Sequence, residues 1–280
     1  MGHIDLPGVE ALLTAALDED IGRGDVTTRL TVPEDRRGAA FLLAKEEAVV
    51  AGLPLIASVF RLAGGDVDVA YEAQESERVR AERVLCRMRG RARTLLSGER
   101  VALNFVQQLS GVATLTRRFV DAVAGTRARI VDTRKTVPGL RVLQKYAIRV
   151  GGGGNHRFGL DDGILIKDNH IAAAGGICAA VQSARAGAPH GLKIEVECDT
   201  LTQVDQALAA GADIVMLDNM SPELLREAVA KIGGRARVEA SGGITLDNVR
   251  RVAETGVDLI SIGALTHSAR AVDISMGWAS

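Results

Sequence analysis

From Arg129 onward the chain repeats one unit, and that repeat limits the possible folds more than any other feature. Short apolar runs with polar ends recur at Ile130-Val131-Asp132, Ile164-Leu165-Ile166-Lys167, Ile194-Glu195-Val196-Glu197, Ile214 to Asp218, Val238 to Ser241 and Leu259 to Gly263. Helix-like segments separate several of them. Thr200 and Gln203 have the spacing of a capping box, with Gly211 as the stop. Ser221-Pro222 opens a helix that Gly233 ends, and Thr245 is placed to cap one that Gly256 ends. Strand–helix units in series imply parallel strands joined by right-handed crossovers. About six such strands fit an incomplete α/β barrel rather than a full one. An open doubly wound sheet is the alternative.

The first third has no such rhythm and reads as mixed α/β structure. Val9, Leu12, Leu13, Ala16 and Leu17 recur at helical spacing, and Ile21-Gly22-Arg23-Gly24-Asp25 breaks the helix. Residues 38–51 and 66–71 alternate as strands do, and a helical pattern covers 92–124 with a break expected near Ser97-Gly98.

Composition narrows the function classes. The chain has 280 residues and a formal charge of −1, so no bulk electrostatic attraction to nucleic acid or membrane is expected. Met1 to Leu17 carries Asp5 and Glu10 and lacks the basic start and apolar core of a signal peptide, and no uncharged run is long enough to span a bilayer. Cys86, Cys178 and Cys198 match no metal-ligand spacing and read as small buried hydrophobes in a reducing, cytoplasmic compartment.

In either parallel architecture a ligand sits at the C-terminal ends of the strands. The polar residues crowd there: Asp132-Thr133-Arg134-Lys135, Lys167-Asp168-Asn169-His170, Glu197, Asp218-Asn219, Ser241-Gly242-Gly243 and Gly263. Arg134, Lys135, His156, Arg157 and Lys167 together form a cationic set that needs an anion, because their charges repel one another. Lys193, Glu195 and Glu197 share one strand face and point into the barrel, where charges need partners. Two readings stand: a structural ion-pair network, or a role for Glu197 and Asp218 in steadying positive charge or holding a metal through water. The run Gly151 to Gly154 permits close backbone approach to a ligand or serves as a linker. The glycines ending the last two strands occupy the usual phosphate position of barrel enzymes. The residues alone therefore describe a barrel-like enzyme with a phosphate cup, a cationic cluster for a second polyanion and two acids between them. Transfer of a phosphorylated sugar fits that set.

Several segments resemble the quinolinate phosphoribosyltransferase family. They are Asp132 to Thr136 with Pro138-Gly139-Leu140-Arg141, Lys145-Tyr146-Ala147, the glycine run with Asn155-His156-Arg157, and Lys167 to His170. Asp218-Asn219, Glu239 to Ile244, Gly263 to Ser268, Gly24 to Thr28 and Gly98 to Asn104 extend the likeness over nearly the whole chain, with Val137 and Gln144 as departures. The resemblance implies an N-terminal α/β sandwich over 1–112, an incomplete barrel over 113–267 and a tail, 268–280, that returns to the first domain. It implies that phosphoribosyl pyrophosphate (PRPP) and quinolinate react with Mg²⁺ in a homodimer. Lys135, Lys167, Glu197 and Asp218 would be catalytic, the two acids also facing the metal. Arg134, His156 and Arg157, with Lys135 and Lys167, would hold the two quinolinate carboxylates, Arg100 would join them from the neighbouring subunit, and Thr133 would also bind substrate. Ser241, Gly242, Gly243, Ile262, Gly263 and Ala264 would cradle the 5-phosphate, with His267 nearby. Competing readings are a molybdenum-transport-linked paralogue, a nicotinate phosphoribosyltransferase, and a non-catalytic sugar-phosphate binder.

Overall fold

A computed structural model describes residues 6–279. Asp5, part of the N-terminal reading, and Ser280 lie outside the described residues. The chain opens with α1 (Val9–Ile21) and α2 (Val26–Thr31), then β1 (Arg37–Ala44), β2 (Ala48–Val49) and α3 (Leu53–Leu62). There follow β3 (Val67–Tyr71), β4 (Arg78–Val79), β5 (Arg83–Arg91) and the long α4 (Ala92–Ala122). Then come β6 (Arg129–Val131), α5 (Arg141–Val150), β7 (Ile164–Ile166), α6 (Asp168–Ala174) and α7 (Ile177–Gly187). The remainder is β8 (Ile194–Cys198), α8 (Leu201–Ala209), β9 (Ile214–Asp218), α9 (Pro222–Ile232), β10 (Arg237–Ser241), α10 (Val249–Ala253), β11 (Leu259–Ser261), α11 (Ala264–His267) and β12 (Ile274–Ala279).

Two compact units result. The first takes the chain up to Arg117, together with Val137–Gly152 and the segment from Ser268 onward; the second takes Arg118–Thr136 and Gly153–His267. The expected division at 112/113 and the edge of the second compact unit at 117/118 both fall inside α4, and α5 clusters with the first unit. No sequence punctuation marks the boundary, because one continuous helix runs through it.

The first unit carries an antiparallel sheet ordered β12-β1-β5-β3. The tail forms β12, pairing along β1 from Ala39↔Ala279 to Ala44↔Ile274. The single strand expected over 38–51 is interrupted, since β1 ends at Ala44 and β2 pairs separately with β4. Helix α3 begins without a side-chain cap of its own; instead Glu75 accepts the backbone N–H groups of Gly52 (2.5 Å) and Leu53 (3.1 Å). That supplies the acceptors a helix start lacks. Helix α4 does not break at Gly98. The glycine is needed for packing: a Cβ there would lie 2.9 Å from the Phe60 ring. The two departures from the family pattern bond each other, Gln144 Oε1 accepting the Val137 N–H at 2.8 Å.

The second unit is built on six parallel strands ordered β6-β11-β10-β9-β8-β7. That order is cyclic in sequence, with the seam between β6 and β7 unpaired. A doubly wound sheet would instead reverse direction at a switch point. The strands therefore form an incomplete barrel. Along β8, Ile194, Val196 and Cys198 are fully buried and alternate with Glu195 and Glu197, and on β9 Val215 and Leu217 are fully buried likewise. Lys193, expected on the inner face, precedes β8, is exposed and bonds Asp213 instead. Helix starts follow the sequence at α8, where Thr200 and Gln203 form the capping box, and at α9, where Ser221 accepts the Leu224 N–H. Thr245 does not cap α10. Its N–H donates to Asn248 Oδ1 in a turn, and the helix begins after Asn248. Cys86 and Cys198 are buried, but Cys178, expected to be so, is exposed on α7. Among the described residues no helix is long and apolar enough to cross a membrane.

Candidate active site

The C-terminal ends of the barrel strands enclose a cavity of about 590 Å³. Thr133, Arg134, Lys135, His156, Arg157, Lys167, Glu197, Asp218, Ser241, Gly242 and Gly243 line it, as the strand-end rule requires. Asn219, already marked in the sequence at a polar strand end, lines it as well, and so do Leu165, Met216 and Ser261, which were not singled out. Period-2 alternation would have found three of them: each sits two residues before or after a chosen inward position on β7, β9 or the end of β10's neighbour β11. Ile262, Gly263, Ala264 and His267 lie beside the cavity rather than in its wall, and a Cβ on Gly263 would meet Lys135 and His267. Arg100 belongs to the first unit and is exposed on α4.

Going round the rim in sheet order, the chemistry changes by sector. The β6 end and the loop after Gly153 supply the cations. Asp132, fully buried, organises this sector: its carboxylate accepts from Asn155 Nδ2 and from the His156 backbone N–H, both at 2.8 Å. This clamp ties the glycine-rich loop to the strand, where Val131 bridges to Gly154. Arg157 Nη1 donates to the Gly163 carbonyl (2.9 Å), and its backbone N–H donates to His156 Nδ1 (2.8 Å). Burial first, and the neighbouring Arg134 charge second, pull Arg157 below the ordinary guanidinium range. Arg134 Nε is buried and has no hydrogen-bond acceptor among the described residues. Two guanidiniums brought near each other in this way favour an anion beside them.

The β7–β9 sector carries the acids. Lys167, at the end of β7, bonds Glu197 on β8 at 2.5 Å. His170 supports that turn, its Nδ1 accepting the Lys167 N–H at 3.0 Å. Glu197 is thus ion-paired, as its structural reading expects, and the pair stands at the cavity wall. Asp218 ends β9 and accepts from Asn219 Nδ2 at 2.6 Å.

The β10–β11 sector is a backbone cup. Gly242 and Gly243 have φ of 87° and 63°, a region that disfavours a side chain, and Asn219 lies directly over Gly242. Asn248 Nδ2 holds the cup by donating to the Gly243 carbonyl at 2.8 Å. The backbone N–H groups of Gly242 and Gly243 meet no acceptor among the described residues. Such a nest of donors suits a phosphate.

Below the cavity, two buried acids to which the sequence reading gave no binding or catalytic role meet His156 of the cavity wall. Glu195 and Glu239 are 4% and 0% exposed, and His156 Nε2 lies 3.0 Å from Glu195 Oε2 and 3.7 Å from Glu239 Oε2. Burial first, then the Glu195 charge, push the Glu239 carboxyl up to about 8. Glu195 was visible in the sequence as an inward charge. Glu239 carried no signal beyond its place in a motif.

Known proteins agree with this geometry. Residues 25–110 match the N-terminal domain of quinolinate phosphoribosyl transferase, and residues 112–277 match its C-terminal domain. The chain is 45% identical over 276 residues to a probable nicotinate-nucleotide pyrophosphorylase [carboxylating] of Bacillus subtilis, covering 99% of this chain and 94% of that one. It is 45% identical over 269 residues to the nicotinate-nucleotide pyrophosphorylase [carboxylating] of Mycobacterium leprae, covering 93% and 94%. The structure of the nicotinate-nucleotide pyrophosphorylase from Francisella tularensis superposes with a TM-score of 0.93 at 39% identity, over 100% of both chains. With the two domain matches spanning residues 25–277, and a cavity that joins a cluster of cations to a glycine nest of backbone donors, this protein belongs to the quinolinate phosphoribosyltransferase family.

Proposed function

We propose that the chain transfers the phosphoribosyl group of PRPP to quinolinate with loss of CO₂, releasing nicotinate mononucleotide and pyrophosphate. The observation that carries this reading is the buried, acceptorless Nε of Arg134 beside Arg157, facing the same cavity as the Gly242-Gly243 nest. Arg134 and Arg157, with Lys135, Thr133 and Lys167, hold the two acceptor carboxylates. The nest binds the ribose 5-phosphate, with Ile262, Gly263, Ala264 and His267 beside it. Glu197 and Asp218 lie between these ends and face the ribose.

The pyridine nitrogen attacks C1 of the ribose as the pyrophosphate leaves, and the carboxylates of Glu197 and Asp218 stabilise the cationic character of the sugar. The ring nitrogen of the adduct carries positive charge, which stabilises the carbanion left on the adjacent ring carbon when its carboxylate departs as CO₂. A proton then takes its place on the ring carbon. No protein nucleophile is required, so catalysis comes from positioning and electrostatics. The donor set fits Mg²⁺: Asp218 offers a hard carboxylate with one oxygen bonded to Asn219, and Glu197 lies on the next strand. When bound there, Mg²⁺ carries negative charge of the pyrophosphate.

We extend the proposal to a homodimer in which Arg100 of the partner subunit completes each acceptor pocket. The enzyme would work in the cytoplasm, where Cys86, Cys178 and Cys198 stay reduced. The test is release of pyrophosphate and CO₂ from PRPP, Mg²⁺ and quinolinate, with nicotinate as a parallel acceptor. Quinolinate should give kcat/KM higher by at least about 100-fold, since a missing carboxylate leaves desolvated cations unpaired. Comparable values for both acceptors would overturn the assignment. Arg134→Ala should raise KM for quinolinate by about tenfold or more and KM for PRPP far less. The reverse order would mean that the two subsites are exchanged.

A further inference from the structure

The buried layer of His156, Glu195 and Glu239 has no part in the reaction as derived above. Its three groups each offer a ligand atom within 4.8 Å of the others, a donor set that could hold a divalent cation. The hydrogen bonds of the imidazole decide against that reading. His156 Nδ1 accepts the backbone N–H of Arg157 at 2.8 Å, so Nδ1 bears no proton. The ring proton of a neutral imidazole is then on Nε2, which lies 3.0 Å from Glu195 Oε2, within donating distance of that carboxylate. A metal on Nε2 would have to displace that proton to Nδ1, where the Arg157 N–H already points.

The same bonds bear on the acceptor pocket. With Nε2 directed at Glu195 and Nδ1 at the Arg157 backbone, both ring nitrogens are engaged within the protein. Arg157 is held at its backbone by His156 and at its guanidinium by the Gly163 carbonyl. We propose that Glu195 is a positioning residue for the acceptor site: it fixes the tautomer and orientation of His156, which in turn holds Arg157 against the acceptor carboxylate. His156 then orients an arginine rather than donating to the substrate itself. This inference rests on the quinolinate reading above. Glu239, packed against Glu195 from β10, and Asp132, holding the His156 N–H, complete the support from the neighbouring strands.

Conservative variants separate the possibilities. Glu195→Gln keeps an oxygen that accepts from Nε2, so its KM for quinolinate should stay within about twofold of wild type, whereas Glu195→Leu should raise that KM about tenfold with KM for PRPP unchanged. His156→Asn keeps an acceptor near the Nδ1 position and His156→Gln does not, so Asn should retain quinolinate affinity better. In wild type, ¹⁵N NMR of labelled histidine should show His156 as the Nε2–H tautomer. Equal losses in His156→Asn and His156→Gln, or a Nδ1–H tautomer, would overturn the proposal, and this arm decides the matter even if Glu195→Leu does not fold. An active enzyme whose folded Glu195→Leu variant keeps wild-type KM for quinolinate would overturn it while leaving the proposed function intact. Absence of any turnover of quinolinate by wild type would instead sink the proposed function, and the tautomer would still report on the bonding.

Discussion

Arg134 and Glu239 show how single side chains carry opposite burdens in this barrel. Arg134 keeps its charge through permanent delocalisation and so demands an anion from outside. Glu239, fully buried beside another carboxylate, resolves the same problem by holding a proton. The sign of its effect on stability follows from linkage. Its carboxyl is raised from 4.5 to about 8, so the folded chain retains a proton that the unfolded chain has lost at any pH between those values. Stability from this group is therefore undiminished below 4.5 and is lost as pH rises towards 8. Glu239→Gln removes the titration. Its unfolding free energy relative to wild type should climb between about pH 5 and pH 7.5, by at most about 1.4 kcal/mol per pH unit, as read from urea denaturation. A difference that stays constant over that range would mean that Glu239 is ionised in the native state. Of these side chains, the exposed-end cations were legible in the sequence by type and position. The neutralised carboxyl was not, because its protonation depends on what lies across the barrel.

Elements were legible where a local rule suffices. Thr200 with Gln203, Ser221 with Pro222, and Gly233 specify helix ends through hydrogen bonds made within one turn. Local rules failed where a distant group answers the local need: Phe60 keeps Gly98 inside α4, and Glu75 caps α3. The end of β10 combines both cases. Its Gly-Gly pair announced a close approach, and the tertiary structure shows what approaches, since a Cβ on Gly242 would lie 2.3 Å from Asn219 Oδ1 at a φ of 87°. Gly242→Ala should therefore displace Asn219 and distort the nest. KM for PRPP should rise about tenfold or more while direct quinolinate binding changes far less, with a stability loss of about 1–3 kcal/mol. Unchanged kinetics for PRPP would remove the nest from the proposed phosphate site.

At the scale of the whole molecule, the cations facing the cavity come from the second unit, while Arg100 belongs to the first. An isologous dimer would make two equivalent sites, each completed by Arg100 of the partner subunit. Arg100→Ala and Lys167→Ala, each inactive alone, should regain activity when their subunits exchange. The mixed dimer would have one site with both defects and one with neither. Mixed dimers confirmed by mass but still inactive would rule out a shared site.

The succession of strands and helices, the parallel barrel and the crowding of polar residues at the strand ends were all written in the sequence, because each depends on period, punctuation and chain direction alone. The cation set, the acid pair and the glycine cup followed, since the strand-end rule assigns them one location before any coordinate is known. Tertiary structure alone decided that α5 clusters with the first unit, that Asp132 clamps the glycine-rich loop and that His156 Nε2 faces Glu195. Those features are set by groups far apart in sequence meeting across a buried interior, where burial and the absence of competing water dictate which hydrogen bonds form and which carboxyl keeps its proton.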